Sequence, residues 1–313
     1  MIFPGDVESF VKRPTFKMSW LLLFLNIAVY FVFSLEFESW PNGPFSEKLS
    51  DPRFKTVVFE MYKQTLDPVE AVSNNTTSDQ ILTVALRDQS FEKRLAQFPF
   101  KGNDIEIADA KNTLFEFFRG YHRSPQYQFG LSANDSSPWS WLTYQFVHGS
   151  LLHLAGNMFI IFLSLSYLEK QISSGWLLTV YLLSGFVGGM FFLKLEPSSG
   201  LSMVGASASA FGLLGFLLIL ENTKLMPWFY MIAPVKGGYG RIYLPVFFIL
   251  PVLLMSEFLT LLKDTSGVST SIAVSAHVGG AVAGMLIAGG YLLAKKVSAL
   301  NSVEADLAAT ENF

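Results

Sequence analysis

Six apolar runs separated by more polar segments organise this chain of 313 residues. They fall at about 18–35, 149–167, 176–195, 202–220, 242–262 and 271–294. Each approaches the roughly 20 residues that a helix needs to cross a bilayer. Gly185, Gly188, Gly189, Pro245, Pro251, Gly280 and Gly284 interrupt the runs, which a membrane bundle tolerates because neighbouring helices re-satisfy the backbone. The pattern predicts an all-α polytopic membrane protein, a six-helix bundle.

Between the first and second runs the pattern changes. Residues 36–138 are polar enough for water, yet SDQILTVALRDQSFEKRLAQF (78–98) and NDIEIADAKNTLFEFFRG (103–120) carry apolar residues at helical spacing. Ser78 and Asp104 are the expected N-caps, and VSNNTTSDQ (72–80) reads as a flexible break. Asn74, Asn75 and Asn134 begin Asn-x-Ser/Thr triplets, which matter only in a glycosylating compartment. The expected organisation is an N-terminal segment 1–17, a first span 18–35, an extracytoplasmic helical insert 36–138, a core 139–294 and a tail 295–313 that is frayed or a short surface helix. There is no internal repeat, heptad array or low-complexity tract.

Composition sharpens the membrane reading. Hydrophobic residues make up 51% and charged residues 15%, against about 25% charged in an ordinary soluble domain; mean hydropathy is +0.39. A net charge of −3 gives no basic patch for nucleic acid. The absence of cysteine removes disulfides and thiolate metal sites. Lys12, Arg13 and Lys17 precede the first run, but SLEFESW after it offers no small-residue cleavage site, so the run reads as a retained span. Those three basic residues, with Lys170, Lys224, Lys236, Arg241, Lys295 and Lys296, outweigh Lys194 and Lys263 on the other side, which predicts both termini in the cytoplasm. The expected location is the inner (cell) membrane of a bacterium.

Polar residues inside the runs then stand out, because ionisable groups in lipid are costly and mark function. His153 and, one turn on, Asn157 lie in HGSLLHLAGNMF (148–159); Ser207 lies in GASASAFG (205–212); His277 lies in SAHVGGAVAG (275–284). All three runs go from outside to inside in the predicted topology, so these groups sit roughly 6–12 Å below the outer boundary. Ala276, Gly280, Gly284 and Ala288 recur every four residues, as do Ala208 and Gly212, giving stripes for close helix approach. A crossing there lets His277 reach Ser207, with Phe211 one turn below as an apolar floor. The chemistry this suggests is acyl transfer: a serine activated by an adjacent base, with His153, the Asn157 amide and the Ser207 N–H aimed at an oxyanion. No carboxylate is placed to orient His277, so a dyad is expected. A membrane serine alone more often bonds its own helix, and Ser209, on another face, reads as packing. His148 reads as a loop stabiliser and His122 as a surface or packing residue. Neither HExxH nor Gly-x-Ser-x-Gly is present.

Together, His148, His153 and Asn157, then Gly205-Ala206-Ser207, then Ala276-His277 with Gly280 and Gly284, resemble the rhomboid family of intramembrane serine proteases. Phe211, Gly215 and the acidic Glu169 also match the family's pattern. The resemblance covers 139–294, with the first span completing a rhomboid-like six-helix bundle. It implies that Ser207 is the nucleophile and His277 the general base, and that His153 and Asn157 help form the oxyanion hole. It implies membrane-anchored, single-span or other membrane-protein substrates, cut in or beside a transmembrane segment, with water reaching the site from the outer face and no cofactor or metal. The chain departs from the family at Ser140, where arginine is frequent, and at Ala208, where glycine is frequent. The insert 36–138 exceeds the usual first loop and is read as a substrate-recruiting or regulatory element. A different class stays open: an inactive rhomboid-like protein that binds membrane clients. A transporter would call for an inverted repeat and interrupted helices, and neither is seen.

Overall fold

A computed structural model of the chain describes residues 2–4, 18–36, 44–66, 78–86, 88–133, 137–195, 202–221, 225–231, 239–245 and 274–310. Within them the fold is predominantly helical. Helix α1 (Met18–Glu36) is followed by the insert helices α2 (Pro44–Ser50), α3 (Pro52–Thr65), α4 (Ser78–Ala85), α5 (Gln89–Leu95), α6 (Asp104–Arg123) and α7 (Pro125–Phe129). Then come the short α8 (Ser140–Thr143) and the apolar helices α9 (Leu151–Leu168), α10 (Ser174–Leu195), α11 (Ser207–Leu220) and α12 (Val274–Thr310).

Among the described residues, Ser174–Leu195 and Val274–Glu304 are long and apolar enough to cross a membrane, while Met18–Phe33, Leu151–Leu165 and Ser207–Leu220 are shorter apolar helices. Large apolar side chains stay uncovered around this bundle, Phe24 at 68% and Leu286 at 72% exposure. Such a surface is unfavourable in water and natural in lipid.

Close backbone approach holds the bundle centre together. A Cβ on Gly280 would sit 2.1 Å from the Ala208 carbonyl oxygen, and one on Gly284 would sit 1.9 Å from that of Gly212. The paired positions advance together, so α11 and α12 run parallel, and the two small-residue stripes meet as their spacing predicts. Helix α10 runs antiparallel to both: Gly188 approaches Ala208 and Ala276, whereas Ser184 lies against Gly212. Leu154, Ile161 and Leu165 of α9 pack with Tyr181 of α10 and Phe211, Leu214 and Phe216 of α11.

The insert helices enclose a core of their own, built on Phe54, Val58, Met61, Phe91, Leu95, Leu114 and Phe118. Caps set their boundaries. Asp51 accepts from the Arg53 N–H at 2.9 Å ahead of α3, which has proline at its first position. Asp88 accepts from Ser90 N–H at 2.8 Å and divides 78–98 into α4 and α5. The cap of α6 is Asn103 rather than Asp104: its side chain takes the Ile105 N–H at 3.0 Å, leaving Asp104 in the first turn where a negative charge favours the helix dipole. Ser78 is the first residue of α4, not a residue ahead of it. Residues 72–77, Asn74, Asn75 and Asn134 lie outside the described residues.

Three further expectations change. The run at 202–220 begins its helix only at Ser207, because Gly205 takes a φ of +120° that no right-handed helix accommodates. Within the tail, residues 295–310 continue α12 without a break to Thr310 rather than forming a separate helix. The run at 242–262 starts as a strand: β1 (Ile2–Pro4), β2 (Leu225–Met231) and β3 (Tyr239–Pro245) form an antiparallel sheet in that order. Trp228 faces Ile242 in register. LMPWFYM and YGRIYLP are short and aromatic-rich, a composition suited to pleated pairs. Residues 246–262 lie outside the described residues.

Candidate active site

Ser207, His153 and His277 all occupy the first four residues of their helices, as first in α11, third in α9 and fourth in α12. The Ser150 hydroxyl fixes the start of α9 by accepting the His153 N–H at 3.2 Å. One turn further on the same face is Asn157, 5% exposed.

The approach to Ser207 is held by its backbone. The Gly205 N–H donates to the Tyr144 carbonyl at 2.9 Å, and the Ala206 N–H to His148 Nε2 at 3.5 Å. Since a carbonyl only accepts, His148 Nδ1 carries the proton it gives to Phe146 O at 3.2 Å, which leaves Nε2 as the acceptor for Ala206. His148 thus works as a neutral clasp on the residue before Ser207. Gly205 leaves room for two side chains: a Cβ there would sit 2.8 Å from His153 Nε2 and 3.3 Å from Asn157 Nδ2. His153, Asn157 and the backbone ahead of Ser207 are therefore immediate neighbours, and alanine at 205 would fail on both φ and space.

His277 is 6% exposed. Its ring lies flat on Phe211, with centroids 4.5 Å apart and planes within 4°. Phe211 is therefore a stacking partner that fixes the imidazole plane, not a floor beneath it. The residues next to Ser207 and His277 converge as well, because a Cβ on Gly188 would touch Ala208 Cβ at 2.6 Å and Ala276 O at 2.7 Å. Ala206, the N-cap of α11, offers no side-chain capping bond, and first-turn N–H groups have no intrahelical carbonyl. The start of α11 is accordingly a donor-rich spot beside His153 and Asn157.

Two side-chain groups are buried with no hydrogen-bond partner among the described residues, Asn157 Nδ2 and Ser184 Oγ. The Asn157 amide lies within this cluster. Leaving such a donor unpaired costs about 1–3 kcal/mol, a cost that a ligand oxygen can remove.

The remaining sequence-read residues lie elsewhere. Ser209 is fully buried and donates to Gln145 Oε1 at 2.9 Å. His122 pairs with Glu92 at 3.4 Å on the insert and lines a cleft of about 630 Å³ there, away from Ser207. Glu169, at the far end of α9, accepts from the Ser19 hydroxyl and clips α1 to the bundle. Ser140 is 1% exposed and shares a hydrogen bond with Ser137 at 3.2 Å. Among the described residues, no group of three His, Asp or Glu side chains converges as a metal site would.

Sequence reasoning missed Gln145. Its Nε2 donates to Trp141 O at 3.2 Å and Leu182 O at 3.4 Å, while its own carbonyl accepts from Tyr181. Tyr181 in turn accepts from Asn26 of α1 at 3.1 Å. A glutamine inside the apolar stretch ahead of α9 was the available signal.

His148 carries a pH prediction. Burial first, then the neighbouring His153 ring, pushes it down to about 4. The unfolded imidazole takes a proton below about pH 6.5, whereas the folded one resists until near its own lower value. The stability from the neutral clasp is therefore complete above pH 6.5 and lost as pH falls toward 4. Thermal unfolding in detergent should show a loss on the order of 2 kcal/mol between pH 7 and about 4.5, and His148→Gln should flatten that slope.

A family profile described as Rhomboid domain matches residues 135–294, just over half of the chain. Over 81 residues the chain is 38% identical to RHOMBOID-like protein 7 of Arabidopsis thaliana, covering 26% of this chain and 25% of that protein. Over 78 residues it is 36% identical to Rhomboid-like protease 3 of Toxoplasma gondii, covering 25% of this chain and 28% of that one. The matched stretch thus spans about a quarter of each of these curated relatives. With its apolar helical bundle and this profile match, the chain is an integral membrane protein that belongs to the rhomboid family.

Proposed function

We propose that this protein is an intramembrane serine endopeptidase that cuts membrane-anchored proteins in or next to a transmembrane segment. Ser207 Oγ attacks the scissile carbonyl carbon while its proton passes to His277. The tetrahedral intermediate collapses with cleavage of the C–N bond, and His277 returns the proton to the departing amine. Water then hydrolyses the acyl-enzyme by the reverse roles. His153, the Asn157 amide and the Ser207 N–H hold the oxyanion, and Phe211 sets the plane of the imidazole. The Toxoplasma relative carries "protease" in its name, which supports the same reading.

The observation that carries the proposal is the buried, unpartnered Asn157 Nδ2. A structural asparagine gains its place by satisfying neighbours, and this one withholds a donor beside the start of α11. A developing oxyanion is the group that such a donor stabilises most, because charge appears there only in the transition state. The site opens to the outer face of a bacterial inner membrane with both termini in the cytoplasm, and the insert 36–138 recruits substrate from that side.

The test is cleavage of a tagged single-span substrate in liposomes by wild type and Asn157→Ala. Removing one oxyanion donor is expected to lower kcat by about 10²–10³ with little change in KM. Equal turnover by a folded Asn157→Ala protein would overturn the role. A folded wild type that binds substrate and never cuts it would favour the client-binding alternative.

A further inference from the structure

The insert and the catalytic core meet at the segment leading to Ser207. Tyr121, in the last turn of α6 and 7% exposed, accepts the Ser202 backbone N–H on its hydroxyl at 2.8 Å and lies 3.3 Å from the Ser202 hydroxyl. One residue on, Met203 and Leu131 form an isolated antiparallel bridge, with N–H to carbonyl distances of 2.8 and 2.9 Å. The approach is tight: a Cβ on Gly130 would sit 2.6 Å from Ser202 Cβ and 3.0 Å from Val204 Cγ1. Gly205 and Ala206 are then taken over by Tyr144 and His148. The strand-like lead-in to the nucleophile is thus fixed at one end by the insert and at the other by the loop before α9.

We propose that Tyr121 is a positioning residue through which the insert sets the placement of Ser207 at the start of α11. The inference rests on the protease reading above. Its physical basis is the shortness of the path. Four residues separate Ser202 from Ser207, Gly205 among them holds an unusual φ of +120°, and the helix start has no side-chain cap of its own. The Leu131–Met203 bridge, Tyr144 and His148 hold the rest of the lead-in, so Tyr121 governs its insert end, and a displacement of about 1 Å at a nucleophile costs far more than the contact itself. Burial pushes the Tyr121 phenol up, so the hydroxyl stays protonated and keeps both of its roles.

The insert therefore does more than recruit substrate, and removing it would also release Ser202 and Met203. Regulation follows from the same geometry, because a substrate or partner that shifts α6 shifts the segment carrying the nucleophile.

The test uses the full chain and two phenol-to-phenyl changes inside the insert. Tyr121→Phe removes the hydroxyl that holds Ser202. Tyr62→Phe removes a hydroxyl that donates to Asp88 at 3.0 Å within the insert. With a tagged single-span substrate in liposomes, Tyr121→Phe is expected to lower kcat roughly three- to tenfold, the loss of about one hydrogen bond in the transition state. KM should stay within twofold. Amide exchange in the peptide covering 202–206 should accelerate. Tyr62→Phe, whether or not it lowers the unfolding temperature, should leave kcat per folded molecule unchanged.

Wild-type turnover by Tyr121→Phe, or equal loss of kcat in Tyr62→Phe, overturns the inference and leaves the protease reading standing. A folded wild type that is inert towards substrate overturns the protease reading and the inference with it.

Discussion

Alanine at Ser207, or alanine at His277, is expected to abolish cleavage of a tagged single-span substrate. In a nucleophile–base pair each partner is useless alone, so either substitution should cost on the order of 10⁶ in kcat. For the same reason the double variant should be no slower than either single one, a non-additivity that independent packing effects would not produce. Ser209→Ala is the internal comparison. It lies two residues away in the same small-residue run, but its hydroxyl is spent on Gln145. Turnover should persist there, with about 1 kcal/mol of stability lost. Ser207 is half-buried, and its truncation should change stability by no more than about 0.5 kcal/mol, which separates lost chemistry from lost fold. Residual cleavage in Ser207→Ala near the wild-type rate would remove the hydroxyl from the mechanism.

Gly284→Ala is expected to be the most damaging single methyl in the bundle. Its Cβ would sit 1.9 Å from the Gly212 carbonyl oxygen and 2.9 Å from Gly212 Cα. Backbone cannot rotate out of the way as a side chain can, so α11 and α12 must separate. Overpacking of this kind costs about 1–3 kcal/mol and occasionally more. Gly289→Ala on the same helix meets nothing within 4 Å and should be neutral or slightly stabilising, because alanine is the better helix former. Unfolding of both variants in detergent measures the difference. Equal stability would mean that α11 and α12 are not in the backbone contact described. The same methyl should also reduce turnover, since the α11–α12 spacing sets the distance between the helix starts that carry Ser207 and His277.

These two predictions show where sequence was sufficient. The stripes Ala208–Gly212 and Ala276–Gly280–Gly284 are legible because a period of four has one structural meaning on an apolar helix. The shared level of His153, Ser207 and His277 follows from counting residues into three runs, and the structure places all three in first turns. Counting failed by a few residues at Ser207, since small apolar residues at 202–206 look helical until the positive φ of Gly205 is known. Phe211 was legible as a neighbour of His277 but not as a stacked partner, because ring orientation depends on a second helix.

Other features were beyond a one-dimensional reading. The strand at 239–245 merges into an apolar run, so hydropathy alone extended a helix across it. Asn103 and Asp104 are both good caps, and only backbone geometry chooses between them. Gln145 is a hub because Trp141, Leu182, Tyr181 and Ser209 surround it, and three of those lie far away in sequence. Tyr121 and Ser202 are 81 positions apart. The family's frequent glycine at the position after Ser207 is Ala208 here, and its methyl is accommodated opposite Gly188, where a second Cβ would collide at 2.6 Å. That departure is absorbed by packing on α10 rather than in the site.

The central claim is that Ser207 is an activated nucleophile. Its most direct measurement is reaction of the folded protein in detergent with a fluorophosphonate, followed by mass spectrometry of the peptides. A phosphonyl adduct on Ser207 is expected, absent in Ser207→Ala and His277→Ala and retained in Ser209→Ala. A folded protein that stays unlabelled, or an adduct that survives Ser207→Ala, would contradict it.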